Sequence, residues 1–129
     1  MIDNYQKEVM LRNEGYDQSY LDTLQGSQLS HLFYEEMGEQ DMIDTVKEKG
    51  ENEGDCGHRI WLSNLDNMCN INGHTDIMSA VACKNTAGED CISIQVNTPD
   101  DRSTIFVDIY ELPYKVADLI YDQIINHKK

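Results

Sequence analysis

Two cysteines and two histidines in glycine-containing segments are the residues of this chain whose types and spacing most resemble a chemical site. Cys56-Gly57-His58 and Cys69-Asn70-Ile71-Asn72-Gly73-His74 together offer two thiolates and two imidazoles. That donor set matches tetrahedral zinc in softness and valence. The spacing does not: one residue separates the first pair and four separate the second, whereas structural zinc modules place paired ligands two to four residues apart. The spacing favours free thiols and solvated imidazoles, with zinc at Cys56, His58, Cys69 and His74 as the alternative. No other cofactor is expected.

Nucleophilic catalysis has weaker raw material. His31 and Glu35 stand four apart on a predicted helix, but no cysteine or serine lies beside them in a recognisable setting. The acidic pairs Glu35/Glu36, Glu89/Asp90 and Asp100/Asp101 are chain neighbours whose side chains diverge, a poor geometry for acid and base work on one substrate. Phosphate-binding glycine loops and a metal-nuclease core are absent from the sequence. The expectation is a protein that is not an enzyme.

Charge is the strongest compositional signal. With 24 acidic and 10 basic residues in 129, the formal net charge is −14. Through Gly57 there are 14 acidic and 4 basic residues, so the first half carries most of the imbalance. Phosphates would repel such a chain, which argues against direct binding of nucleic acid or of an anionic membrane. No apolar run approaches the length of a membrane span, and the N-terminus lacks a signal-like pattern. A cytoplasmic setting follows as an expectation, with thiols mostly reduced.

The elements that must position these residues fall into two blocks of one α+β domain. Residues 1–49 read as short helices: one over Ile2, Tyr5, Val9 and Met10 that stops near Gly15, then Gln18–Leu24, then Gln28–Met37 closed by Gly38, then Glu39–Lys49. Residues 50–58 read as an acidic, exposed linker. Residues 59–129 read as an antiparallel meander of three to four strands covered on one face by a C-terminal helix.

The meander has a derivable register. Thr86-Ala87-Gly88 suits a three-residue hairpin loop with Gly88 left-handed. It sets Lys84 opposite Asp90, Cys83 opposite Cys91, Ala82 opposite Ile92 and Ala80 opposite Ile94, with Met78 continuing the apolar face. A four-residue loop at Pro99–Arg102 sets Val96 opposite Ile105, Ile94 opposite Val107 and Ile92 opposite Ile109. Cys83 and Cys91 then face each other as a pair able to form a disulfide under oxidising conditions. The final helix, Tyr114–His127, presents an apolar stripe inward and Lys115, Asp118, Asp122 and Asn126 outward.

The functional expectation is a non-catalytic interaction protein whose acidic surface meets a basic protein partner. Glu35, Glu36, Glu39, Asp41, Asp44, Glu48, Glu51 and Glu53 are its candidate contact residues. Spaced carboxylates can imitate phosphates, as in small acidic anti-restriction or anti-CRISPR inhibitors of phages and other mobile elements; that comparison is one of analogy. Two alternatives are a small zinc-stabilised binding module and a structural subunit or homo-oligomer joined through Val81, Phe106 and Tyr110.

Overall fold

The computed structural model describes residues 2–63, 73–74, 76–98 and 103–127. Helices lead the chain. α1 (Asn4–Asn13) begins with a capping box in which the Asp3 carboxylate accepts from the Gln6 amide while the Gln6 side chain accepts from the Asp3 amide. Its inward residues are Lys7 and Leu11, whereas Tyr5 stands in solvent. The apolar stripe expected through Tyr5 is therefore rotated, because Lys7 has a buried partner that only the tertiary fold supplies. α2 (Gln18–Leu21) is a single short turn, ending before the expected Leu24.

The next two predicted helices are one. α3 (Gly26–Phe33) passes through a π-helical turn, Tyr34–Gly38, into α4 (Glu39–Lys49) with helical backbone throughout. Gly38 does not terminate a helix. A Cβ there would lie 2.5 Å from the Tyr34 ring and 2.8 Å from the Phe33 ring. The glycine exists to let two aromatic rings close over the backbone, and the wider π turn allows Phe33 and Tyr34, adjacent in sequence, both to be buried.

The expected linker is in fact the edge of the sheet. Glu51–Asn52 (β1) pairs antiparallel with His58–Trp61 (β2), joined through a 3-10 turn at Gly54–Cys56. With β3 (Asp76–Lys84), β4 (Asp90–Asn97) and β5 (Thr104–Asp108), the sheet has five antiparallel strands in sequential order. The β3–β4 register is the predicted one from Ala80 to Lys84. Asn85 donates its amide to the Glu89 carbonyl, and Gly88 is left-handed at φ +80°. A bulge between Ile77 and Ser79 then shifts the register, so Ile77, not Met78, faces Val96 and enters the core.

In β4–β5, Val96 faces Ile105 and Ile94 faces Val107 as expected. The expected pair Ile92/Ile109 does not form: β5 ends at Asp108, and Ile109 begins a 3-10 turn to Glu111 while remaining buried. The loop at residues 99–102 lies outside the described residues.

The helical layer meets one face of the sheet through α4. α5 (Tyr114–Ile125) packs against α3 and α4, and α4 lies across β2, β3 and β4. Ile60, Ala80, Ile92, Ile94 and Val96 meet Phe33, Met42, Ile43, Val46 and Ile120 in one core. The opposite face carries a polar network. There the Arg59 guanidinium bridges Glu53, Ser79 and Gln95 and lies 5.0 Å from the Trp61 ring centre. Trp61 and Phe106 flank that network and are about half exposed. Among the described residues, no helix is long and apolar enough to cross a membrane.

Candidate functional site

Two regions of the helical layer carry unusual chemistry: the outward ridge of the α3–α4 helix, and a buried polar cluster beside a cavity. On the ridge, Glu35, Glu36, Asp44 and Glu48 are exposed, as is Glu51 at the start of β1. The inward side of the same helix is spent on Met42, Ile43 and Val46, so its polar side must face water. Among the described residues, no Lys, Arg or His forms an ion pair with Glu36, Asp44, Glu48 or Glu51. Glu35 has the His31 ring 3.5 Å away, with both side chains well exposed.

Three expected contact residues are less free. Glu39 is half-buried, and burial raises its carboxyl above the ordinary range while a hydrogen bond with Tyr110 opposes that rise. Asp41 is likewise raised by burial, opposed by the Tyr121 hydroxyl, which donates to it at 3.3 Å. The Tyr121 phenol is itself pushed up to about 12 by burial and by Asp41. Glu53 accepts from Arg59 at 2.8 Å and belongs to the network on the other face of the sheet.

The buried cluster escaped sequence reasoning. Lys7 is fully buried, and its ammonium donates to Asp118 Oδ2 at 2.8 Å and to Ser30 Oγ at 2.7 Å. The Tyr34 hydroxyl donates to Asp118 Oδ1 at 2.5 Å. Asp118, expected on the outer side of α5, is 5% exposed and ties α1, α3 and α5 together. Burial and the bonded Asp118 carboxylate drive the Tyr34 phenol far above its ordinary range. A burial cost this large is tolerated because each charge has its counter-charge and further hydrogen bonds. One sequence signal existed: Lys7 falls on the inward stripe with Leu11, and Asp118 on that with Tyr121.

Beside this cluster, α3, α5 and the 3-10 turn frame a half-open cavity of about 340 Å³. Its walls include Ser30, His31, Tyr34, Tyr110 and Tyr114, with aliphatic groups from Ile109 and Leu112. The His31 and Tyr110 rings pack 4.9 Å apart. Tyr114 closes over the backbone of Gly26, and Lys7 Nζ lies 5.7 Å from its ring centre.

Against known proteins, the chain matches no family model, no curated protein and no solved structure.

His58 lies in β2 opposite Ala82. His74 is buried, with Nε2 3.1 Å from Ser103 Oγ. Cys56 lies in the 3-10 turn before β2, and Cys69 falls outside the described residues. Among the described residues, no group of three or more His, Cys, Asp or Glu side chains is placed to hold a metal. Cys83 and Cys91 face each other as free, half-exposed thiols. Burial, then the neighbouring Cys83, pushes the Cys91 thiol up.

Proposed function

We propose that this protein is a non-catalytic inhibitor that occupies the basic, nucleic-acid-binding groove of a protein partner with the acidic ridge of α3–α4. The observation that carries the reading is the run of carboxylates from Glu35 to Glu48 on one continuous helix, largely without cationic partners. Glu35, Glu36, Glu39, Asp41, Asp44 and Glu48 occupy about 20 Å of helix axis at ~1.5 Å per residue. That is roughly one charge per 3–4 Å, close to the ~3.4 Å of axis per phosphate in one DNA strand. Glu36, Asp44 and Glu48, being exposed, form its contact edge, and Glu51 and Glu53 extend the charge onto the sheet edge. Glu39 and Asp41 contribute field from partly buried positions.

A partner held this way loses affinity steeply with salt, because its basic groove releases and rebinds counterions. The test is binding to a panel of purified nucleases with basic grooves, by biolayer interferometry. Between about 50 and 200 mM salt, affinity for a true partner is expected to fall by at least about tenfold. Duplex DNA should compete, and the variant Glu36→Gln/Asp44→Asn/Glu48→Gln should lose binding while keeping its melting temperature. Binding indifferent to salt and to DNA would overturn the reading, as would full binding by the neutralised variant.

A further inference from the structure

The cavity between α3, α5 and the Ile109–Glu111 turn is walled by three tyrosines in a strongly acidic protein, and that combination selects for a particular ligand charge. We propose that it binds a weakly hydrated organic cation, a guanidinium or an alkylated ammonium group, carried on a small molecule or at the end of a partner's side chain.

Tyrosine faces attract such cations through the ring quadrupole. One of the three rings is electronically enriched, because the Tyr34 hydroxyl donates to Asp118 at 2.5 Å. Tyr114 already has the Lys7 ammonium near its ring. Lys7 does not leave an uncompensated positive charge under the cavity, since Asp118 pairs with it at 2.8 Å. Glu35, Glu39 and Asp108 all act electrostatically on Tyr110, and the net charge of −14 concentrates cations at the surface.

Weak hydration follows from the walls. Aromatic and aliphatic groups dominate them, so a strongly hydrated ammonium or metal ion would lose more water than the site replaces. A guanidinium or quaternary ammonium has less to lose. The volume of about 340 Å³ lies at the small end of the range of roughly 300–1,000 Å³ for ligand pockets. It suits a head group rather than an extended ligand. Glu35 and Glu39 also belong to the acidic ridge, but a single cation tests the cavity without a partner protein, and the signal is read at the cavity tyrosines.

The experiment is an NMR titration of the full chain, following Tyr110 and Tyr114, with two pairs of probes. Choline is compared with 3,3-dimethylbutan-1-ol, its uncharged carbon isostere, and N-acetylarginine amide with N-acetylcitrulline amide. Saturable shifts are expected with at least one cation, with its neutral isostere weaker by about tenfold. Tyr110→Leu should weaken that binding to a similar extent, and Tyr110→Phe, which keeps the ring, should restore most of it. Tyr110 is 39% exposed, so both variants are expected to keep the fold. Binding of choline alone assigns the site to an alkylated ammonium, and binding of the arginine probe extends it to a guanidinium. Equal binding by the isosteres, absence of saturable shifts at millimolar concentrations, or indifference to Tyr110→Leu would each overturn the proposal.

Discussion

Lys7 shows how much a single residue can organise. It sits on an otherwise ordinary first helix, yet its ammonium is enclosed and bonded to groups 23 and 111 positions away. Replacing it with methionine keeps the stem and leaves Asp118 charged in a dry site. Breaking a buried pair from one side costs about 3–5 kcal/mol, so Lys7→Met is expected to lower the urea midpoint sharply with little change in slope. Adding Asp118→Leu and Tyr34→Phe should recover part of the loss, because the groups that needed each other leave together. A Lys7→Met variant as stable as the parent would mean that the pair is not a structural clasp.

At the scale of elements, two glycines are needed for different reasons. Gly57 and Gly88 both have positive φ, +87° and +80°, and Gly57 combines it with ψ −142°, a conformation almost confined to glycine. A Cβ at Gly88 would meet nothing within 4 Å, so Gly88→Ala carries only the conformational cost, about 1–2 kcal/mol. At Gly57 the same atom would come 2.2 Å from the Ala82 carbonyl oxygen, in the backbone of β3. Gly57→Ala must therefore either open the β1–β2 hairpin or push β3, and its destabilisation should clearly exceed that of Gly88→Ala in parallel denaturant titrations. The turn at Gly88 was legible from Thr86-Ala87-Gly88 because local chemistry alone decides it. β1 was hidden because Glu51-Asn52 has no apolar pattern; it pairs only because β2 offers an edge.

The whole molecule carries its charge imbalance into its pH response. Burial raises Glu39 and Asp41 in the fold, so each binds its proton more readily folded than unfolded. Stability linked to such groups is present below their ordinary values of 4.5 and 3.8 and is lost as pH rises through the higher folded values. Acidifying from neutrality should therefore raise the melting temperature in the window just above 4.5. Relief of net self-repulsion acts in the same direction. Asp90 works the other way: Lys47, and secondarily Lys84, hold it below 3.8, and its contribution is lost as pH falls through that lowered value. A stability maximum in mild acid is expected by thermal melts, flattened in Glu39→Gln/Asp41→Asn. A melting temperature that falls steadily from neutrality downward would contradict it.

What the sequence alone determined are the features that repeat or turn locally. Alternation fixes the inner face of the hairpins, the Gly88 loop fixes the register from Ala80 to Lys84, and 3.6-residue periodicity locates α4 and α5, because these patterns are set by neighbours a few residues away. Tertiary structure decided the exceptions. The π turn that merges α3 with α4 depends on Phe33 and Tyr34 both finding room around Gly38. The bulge that exchanges Met78 for Ile77 depends on the core it must fill. The buried Lys7–Asp118 pair, and the tyrosine-lined cavity beside it, depend on three helices meeting. A charged residue reads as surface until its counter-charge arrives from a distant part of the chain, and only the folded chain brings the two together.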